Sequence, residues 1–198
     1  MTKKLLLFGG AFNPPHEGHI RLLTNAIEYL KPDITLVLPT AVSPHKTSGD
    51  ISFSHRYNMA KVFKQLDSIR LSSFENRGNK KKNYTIQTIK WIEKKYIGYD
   101  IYLLIGSDML TSFTTWSRYR RIISKANILV ASRENDDTLF EQAIARLKKE
   151  GAKIEVMYYE PIVISSSEIR SLIKEGKQIE SYLPSYVAQY IKKNNLYQ

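Results

Sequence analysis

Two short runs, Tyr102-Leu103-Leu104-Ile105 and Ile128-Leu129-Val130-Ala131, are apolar or aromatic at every position. A strand with one face in water alternates apolar and polar residues. One without alternation is covered on both faces, as in a parallel sheet between two layers of helices. Around these runs, other apolar stretches bounded by turn residues alternate with stretches of helical period, the order of βαβ units. Strands are expected at residues 4–8, 35–38, 69–71, 101–105, 128–131 and 154–157. Helices are expected at 19–30, 54–64, 85–95, 138–149, 166–174 and 185–193. Pro32, Gly151 and Gly176 fall just beyond three of those helices, where chain breakers belong. No repeat, low-complexity tract or linker interrupts the pattern. We therefore expect a single α/β domain over residues 1–198, doubly wound and Rossmann-like, with a mostly parallel sheet.

Composition narrows the chemistry. A chain of 198 residues buries roughly 70% of its unfolded surface, enough to fold without cross-links. It has no cysteine, which excludes a disulfide framework, a cysteine nucleophile and a cysteine-based metal site. With 42% hydrophobic and 25% charged residues it is not a disordered chain. No apolar run nears the ~18–20 residues that span a bilayer, so no membrane association is expected. The opening Met1-Thr2-Lys3-Lys4 and its apolar sequel imitate a signal peptide. That stretch stops at Gly9-Gly10 without a cleavage site, so it reads as a first buried strand of a cytoplasmic protein. The net charge of +11 attracts polyanions: nucleic acid, acidic membranes or phosphorylated metabolites. Its densest cluster, Arg77 with Lys80, Lys81 and Lys82, lies in a Gly/Asn stretch. That cluster is either a solvated loop or a funnel beside a phosphate site, and charge alone does not choose.

In an open parallel sheet, ligands bind outside the carboxyl ends of the strands. After the first strand stands Gly9-Gly10-Ala11-Phe12-Asn13-Pro14-Pro15-His16-Glu17-Gly18-His19, after the second Pro44-His45-Lys46, and after the fourth Gly106-Ser107-Asp108. The first loop is neither a Walker loop nor a G-x-G-x-x-G fingerprint. Its paired glycines nevertheless let backbone N–H groups approach a phosphate, and the next helix points its positive end the same way. His16 and His19, three residues apart at that helix start, have three readings: structural histidines, metal ligands, or donors to phosphate. No third ligand stands at metal spacing nearby, and the glycine loop favours the phosphate. Near the other end, Ser165 and Glu168 form a capping box. The stripe Ile169, Leu172, Ile173 turns Arg170 away from the core, either as a surface arginine or as a guanidinium for a polyphosphate.

The pattern G-G-x-F-N-P-x-H-x-G-H at the start and I-S-S-S-x-I-R near the end resembles the HxGH nucleotidyltransferases. With Pro44-His45-Lys46, Tyr84-Thr85 and Gly106-Ser107-Asp108…Trp116, the chain is similar to the bacterial nicotinate-nucleotide adenylyltransferases from about residue 4 to 196. Asn13 stands where many of that family carry Asp, Ser117 where some place Tyr, and Ser167 where Thr is commoner. The resemblance implies adenylyl transfer from ATP to nicotinate mononucleotide, with Mg²⁺ carried by the triphosphate and no protein metal site. It implies that His16, His19 and Arg170 are catalytic, with His19 nearest the α-phosphoryl group. ATP would lie on Gly9, Gly10, Phe12, His16, His19, Gly106, Asp108, Ser166 and Arg170. The mononucleotide would lie on Tyr84, Thr85, Trp116 and Lys46, with Lys46 closing over the phosphates. A phosphopantetheine adenylyltransferase shares the terminal motifs but not the Gly106…Trp116 segment. A basic nucleic-acid-binding domain explains +11 but not glycines and histidines at strand ends, and no RNP-type motif appears, so nucleic acid is not an expected partner.

Overall fold

All six expected strands form, each within two residues of its expected limits. The computed structural model describes residues 2–41, 51–77, 83–132 and 138–198. The strands are β1 (Lys3–Gly10), β2 (Ile34–Pro39), β3 (Ile69–Leu71), β4 (Tyr99–Gly106), β5 (Asn127–Ser132) and β6 (Ile154–Tyr158). They make one sheet in the order β3-β2-β1-β4-β5-β6, all parallel. The order turns back at β1, as in doubly wound folds. The register sets Phe8 beside Leu104, Leu104 beside Leu129, and Val130 beside Val156. The non-alternating runs behave as their composition demands: Ile101–Ile105 and Ile128–Ala131 are buried throughout, as is all of β2. The edges differ. β3 has three residues, and β6 is only partly covered, exposing Glu155 and Tyr158; short or polar edges discourage pairing with other chains.

The helices are α1 (Glu17–Leu30), α2 (Phe53–Met59), α3 (Thr85–Lys95), α4 (Ser107–Thr111), α5 (Tyr119–Ile123), α6 (Thr138–Lys149), α7 (Ser166–Lys174) and α8 (Ser185–Lys193). Helices α3, α6, α7 and α8 have the expected limits, and α1 starts two residues early. The helix expected at 54–64 is α-helical only to Met59 and continues as a 3₁₀ segment, Ala60–Gln65. Three residues per turn stacks Ala60 over Phe63, and both are fully buried. Helices α4 and α5 were not expected, because five residues are too few to show an amphipathic period.

Contacts divide the chain into two compact units. The described residues of the first fall within Met1–Phe8, Asn25–Leu36 and Tyr84–Glu160. Its core is Leu5–Phe8, the centres of β4 and β5, Ile86, Ile89 and Ile92 of α3, and Phe140, Ile144 and Leu147 of α6. Burying each such side chain contributes about 1.5–3 kcal/mol. Trp91 on the same helix as Ile86 is half-buried, with Lys95 Nζ 5.0 Å from its ring centre. The second unit falls within Gly9–Thr24, Val37–Asn83 and Pro161–Gln198. Its core gathers Phe12, Leu23, Met59, Phe63, Ile169, Val187 and Ile191. There α8 docks on α2 through Tyr190, whose hydroxyl lies 3.1 Å from His55 Nδ1 and 3.2 Å from Asn58 Nδ2.

Candidate active site

Within the second unit, the loop after β1 buries its middle: Phe12, Asn13, Pro14, Pro15 and His16. Phe12 has a φ of 47°, a left-handed conformation that costs a bulky residue on the order of 1–3 kcal/mol and persists only where the surroundings impose it. Its ring folds back so closely that a Cβ on Gly10 would lie 2.8 Å from it. The ring also packs on Phe63 at 4.9 Å and meets His19 edge-on at 5.4 Å. The glycine pair therefore divides its work. Gly10 makes room for Phe12, whereas a Cβ on the exposed Gly9 would meet only the Leu38 carbonyl at 3.9 Å, so Gly9 alone keeps the open approach expected of both.

The loop's carbonyls are bound in series. Gly10 O accepts from Thr40 N–H at 2.8 Å. Ala11 O accepts from Arg56 Nη1 at 2.8 Å, Asn13 O from Arg170 Nη1 at 2.9 Å, and Pro14 O from Ser166 Oγ at 2.9 Å. His16 O takes the N–H groups of His19 and Ile20, which starts α1. The Asn13 side chain accepts from Tyr197 Oη at 2.6 Å. Each of these carbonyls is thus held by a donor of the protein itself.

The two imidazoles are in close contact, ring centres 3.7 Å apart and planes inclined by 44°. His16 donates its backbone N–H to His19 Nδ1 at 3.3 Å. An accepting Nδ1 leaves the proton of a neutral His19 on Nε2, which makes that nitrogen a donor. His16 is buried, and its Nδ1 has no hydrogen-bond partner among the described residues. Burial lowers the His16 pKa to about 4, against an opposing pull from the Glu168 charge. Burial, and then His16, push His19 well below the usual value. Both rings are uncharged at neutral pH. Among the described residues, no group of three His, Cys, Asp or Glu side chains is placed to hold a metal ion.

Helix α7 opens with the capping box read from the sequence. Ser165 Oγ accepts from Glu168 N–H at 3.1 Å, and Glu168 Oε2 accepts from Ser165 N–H at 2.8 Å. That exchange holds the Glu168 carboxyl below its ordinary pKa. The intervening Ser166 and Ser167 N–H groups have no acceptor within the helix. Ser166 gives its hydroxyl proton to Pro14, so its backbone N–H is what it offers an anion. Arg170 is half-buried, neither in the core nor loose on the surface. One guanidinium nitrogen holds Asn13 and the other donates to Ser167 Oγ at 3.1 Å.

Gly106, Asp108, Trp116, Tyr84 and Thr85 lie in the first unit. Asp108 is exposed and curls back over Gly106 so tightly that a Cβ there would sit 2.6 Å from its Oδ1. Trp116 is half-buried against the fully buried Phe113, ring centres 5.0 Å apart. Tyr84 is the N-cap of α3 and gives it no side-chain hydrogen bond; Tyr84 and Thr85 are half-buried. Lys46, with Pro44 and His45, lies outside the described residues, as do Lys80, Lys81 and Lys82; Arg77 is exposed.

Sequence reasoning missed two residues. Arg56 is buried and donates to the carbonyls of Thr40 and Ala41, at 2.6 and 2.9 Å, as well as to Ala11. Its place three and four residues before Met59 and Ala60, on their apolar face, was the available signal. Tyr197 is distant in sequence from Asn13, and nothing local marks it.

Comparison with known proteins places the chain in a family. Residues 7–172 match the model of the cytidylyltransferase-like family. The chain is 35% identical over 194 residues, 98% of its own length and 97% of the relative's, to a Borrelia turicatae protein named "Probable nicotinate-nucleotide adenylyltransferase". A Clostridium tetani protein of the same name is 33% identical over 202 residues, covering 98% of this chain and 99% of that one. The Plasmodium falciparum nicotinic acid mononucleotide adenylyltransferase complexed with NaAD shares the fold. Its TM-score is 0.80 at 21% identity, over 98% of this chain and 97% of that chain. The family match takes in both terminal motifs and the relatives run nearly end to end, so this chain belongs to the cytidylyltransferase-like family and, within it, to the nicotinate-nucleotide adenylyltransferases.

Proposed function

We propose that the protein transfers AMP from ATP to nicotinate mononucleotide, giving deamido-NAD and pyrophosphate for NAD biosynthesis. The observation that carries this reading is the pair of uncharged, closely packed imidazoles at the start of α1, on a loop fixed by Arg170 and Ser166. The names of the full-length relatives support the choice of acceptor.

The acceptor's phosphate has a second pKa of about 6, so it is largely a dianion at neutral pH and needs no base. One of its oxygens bonds to the α-phosphorus of ATP while the bond from that phosphorus to the bridging oxygen breaks. Pyrophosphate leaves with the electron pair. Mg²⁺ travels with the triphosphate as part of the substrate. The protein's part is alignment and stabilisation of the charge that spreads over the phosphoryl oxygens.

In this reading His19 Nε2–H donates to the α-phosphoryl oxygens, and His16 lies behind it. The arriving phosphates favour protonation of both rings, so charge is supplied where the substrate brings its opposite. Arg170, with guanidinium donors beyond the two it spends on the loop, and the Ser166 N–H hold the outer phosphates. Gly9, Gly106 and Asp108 complete the ATP side, with Gly10 and Phe12 shaping the loop that carries it. Tyr84, Thr85, Trp116 and Lys46 take the mononucleotide. The whole chain, 1–198, serves as one nucleotidyltransferase domain, and its ATP requirement fits a cytoplasmic setting.

Incubating the protein with ATP, Mg²⁺ and each candidate acceptor, then identifying products, tests the reading. Deamido-NAD and pyrophosphate are expected. Turnover of phosphopantetheine instead, or of no acceptor, overturns it.

A further inference from the structure

The loop's strain has a support that no terminal motif includes. The guanidinium of Arg56, itself 6% exposed, reaches three carbonyls at once: Ala11 after β1, and Thr40 and Ala41 after β2. Thr40 N–H in turn donates to Gly10 O, so the chain just after β1 and just after β2 is joined by two routes. The Ala11 carbonyl belongs to the peptide directly before Phe12, the residue at φ 47°. Fixing that carbonyl fixes the plane of the peptide and with it the direction from which Phe12 turns onto Phe63 and the edge of His19. A planar fork that is always charged suits this task. It presents several donors in fixed relative directions, whereas an ammonium offers one compact point.

We propose that Arg56 is a positioning residue for adenylyl transfer: by tying the peptide before Phe12 to the end of β2, it holds Phe12 and, through it, His19 in place for the phosphate. This rests on the function proposed above. Arg56 touches no reacting atom in this reading. Its contribution is geometric, and a misplacement of about 1 Å in such a site costs on the order of 10²-fold in rate.

The test compares wild type with Arg56→Lys and Arg56→Ala, well below each protein's melting temperature. The expected result is a fall of about 10–100-fold in kcat for Arg56→Lys, larger for Arg56→Ala, with the KM for ATP changed much less. In the ligand-free proteins, the NMR titration of the His19 ring should move up toward the ordinary 6.5 as Phe12 loosens and the half-buried imidazole becomes better hydrated. If Arg56 only stabilises the fold, the folded variants keep wild-type kcat and wild-type His19 titration and merely melt earlier, and that result overturns the proposal. Should Arg56→Ala not fold, the same two readouts on Arg56→Lys decide. A wild type inactive toward ATP and nicotinate mononucleotide sinks the proposed reaction instead. The His19 titration then judges the geometric link by itself, and an unmoved titration refutes it.

Discussion

The loop from Gly10 to His16 and the stretch from Gly106 to Trp116 both follow strands of one sheet, and they are built in opposite ways. In the first, carbonyl after carbonyl is met by a donor distant in sequence: Arg56, Ser166 and Arg170, with Tyr197 on the Asn13 side chain. In the second, the bonds are local. Thr111 Oγ1 returns to Asp108 O at 2.8 Å, Thr115 Oγ1 to Ser112 O at 2.8 Å, and Asp108 lies over its own turn. Long-range tethers freeze a geometry that charge development needs in place beforehand, because reorganising dipoles during reaction costs rate. Local turns can change sequence without disturbing anything remote. The first loop is therefore held by the rest of its unit, whereas the second segment holds itself.

The sharpest way to break that comparison is His19→Ala. If the tethered loop exists to hold His19 against the α-phosphoryl group, kcat should fall about 10²–10³-fold, the scale of losing one oxyanion-hole donor, with substrate KM values changed far less. A folded variant with near-normal kcat removes His19 from that role.

Next in size is a pH effect on stability. His16 binds its proton near 6.5 when unfolded but only near 4 when folded. Between those values the unfolded state holds more protons, so stability falls as pH drops from 6.5 and stops falling, on this account, below 4. The slope is about 1.4 kcal/mol per pH unit, or on the order of 3 kcal/mol across the window; His19, shifted in the same direction, adds to it. Glu168 contributes stability that is lost only below its ordinary carboxylate range, so urea unfolding between pH 6.5 and 5 isolates the histidines. His16→Gln should flatten that slope. An equal slope in both proteins rules out burial of His16 as its source.

Legibility in the sequence followed the same division. The sheet could be read because β4 and β5 are apolar without alternation, and Ser165 with Glu168 spelled a capping box that forms as written. The histidines could be placed at a helix start, but their ring contact and loss of charge could not, since burial depends on chain brought from elsewhere. Gly10 was assigned to phosphate approach, and its immediate neighbour proved to be Phe12, two residues on. Arg56 and Tyr197 act through contacts spanning 45 and 184 residues, and periodicity has no reach at that distance.

The comparison of helix starts gives a smaller effect. Helix α7 caps its N-terminus with Ser165 and Glu168, whereas α3 begins at Tyr84 with no side-chain cap and buried Ile86, Ile89 and Ile92 behind it. The partial positive charge of such an end favours an anion. If the pyridine carboxylate docks there, kcat/KM for nicotinate mononucleotide should exceed that for the amide by about 10–150-fold, a charge-assisted hydrogen bond of about 1.5–3 kcal/mol. Equal values, measured side by side, refute the helix-end docking and leave adenylyl transfer intact.

The smallest expected effect probes the longest tether. Tyr197 sits at φ 66°, beyond the buried Leu196, whose N–H bonds Ile191 O at 3.1 Å. Its hydroxyl reaches Asn13, which is 1% exposed. Tyr197→Phe keeps the ring and deletes that donor, worth about 0.5–1.5 kcal/mol. Arg170 still holds the Asn13 carbonyl, so the loop should loosen without collapsing, and kcat should fall about two- to tenfold. Tyr186→Phe is the matched control. It deletes a hydroxyl from α8 that donates to Asn58 O at 3.2 Å, away from the loop, and should lower the melting temperature slightly with kcat unchanged. If both variants lose stability alike and neither loses kcat, the C-terminal segment only docks. If Tyr197→Phe alone slows turnover, the last residues of the chain belong to the apparatus that holds the loop.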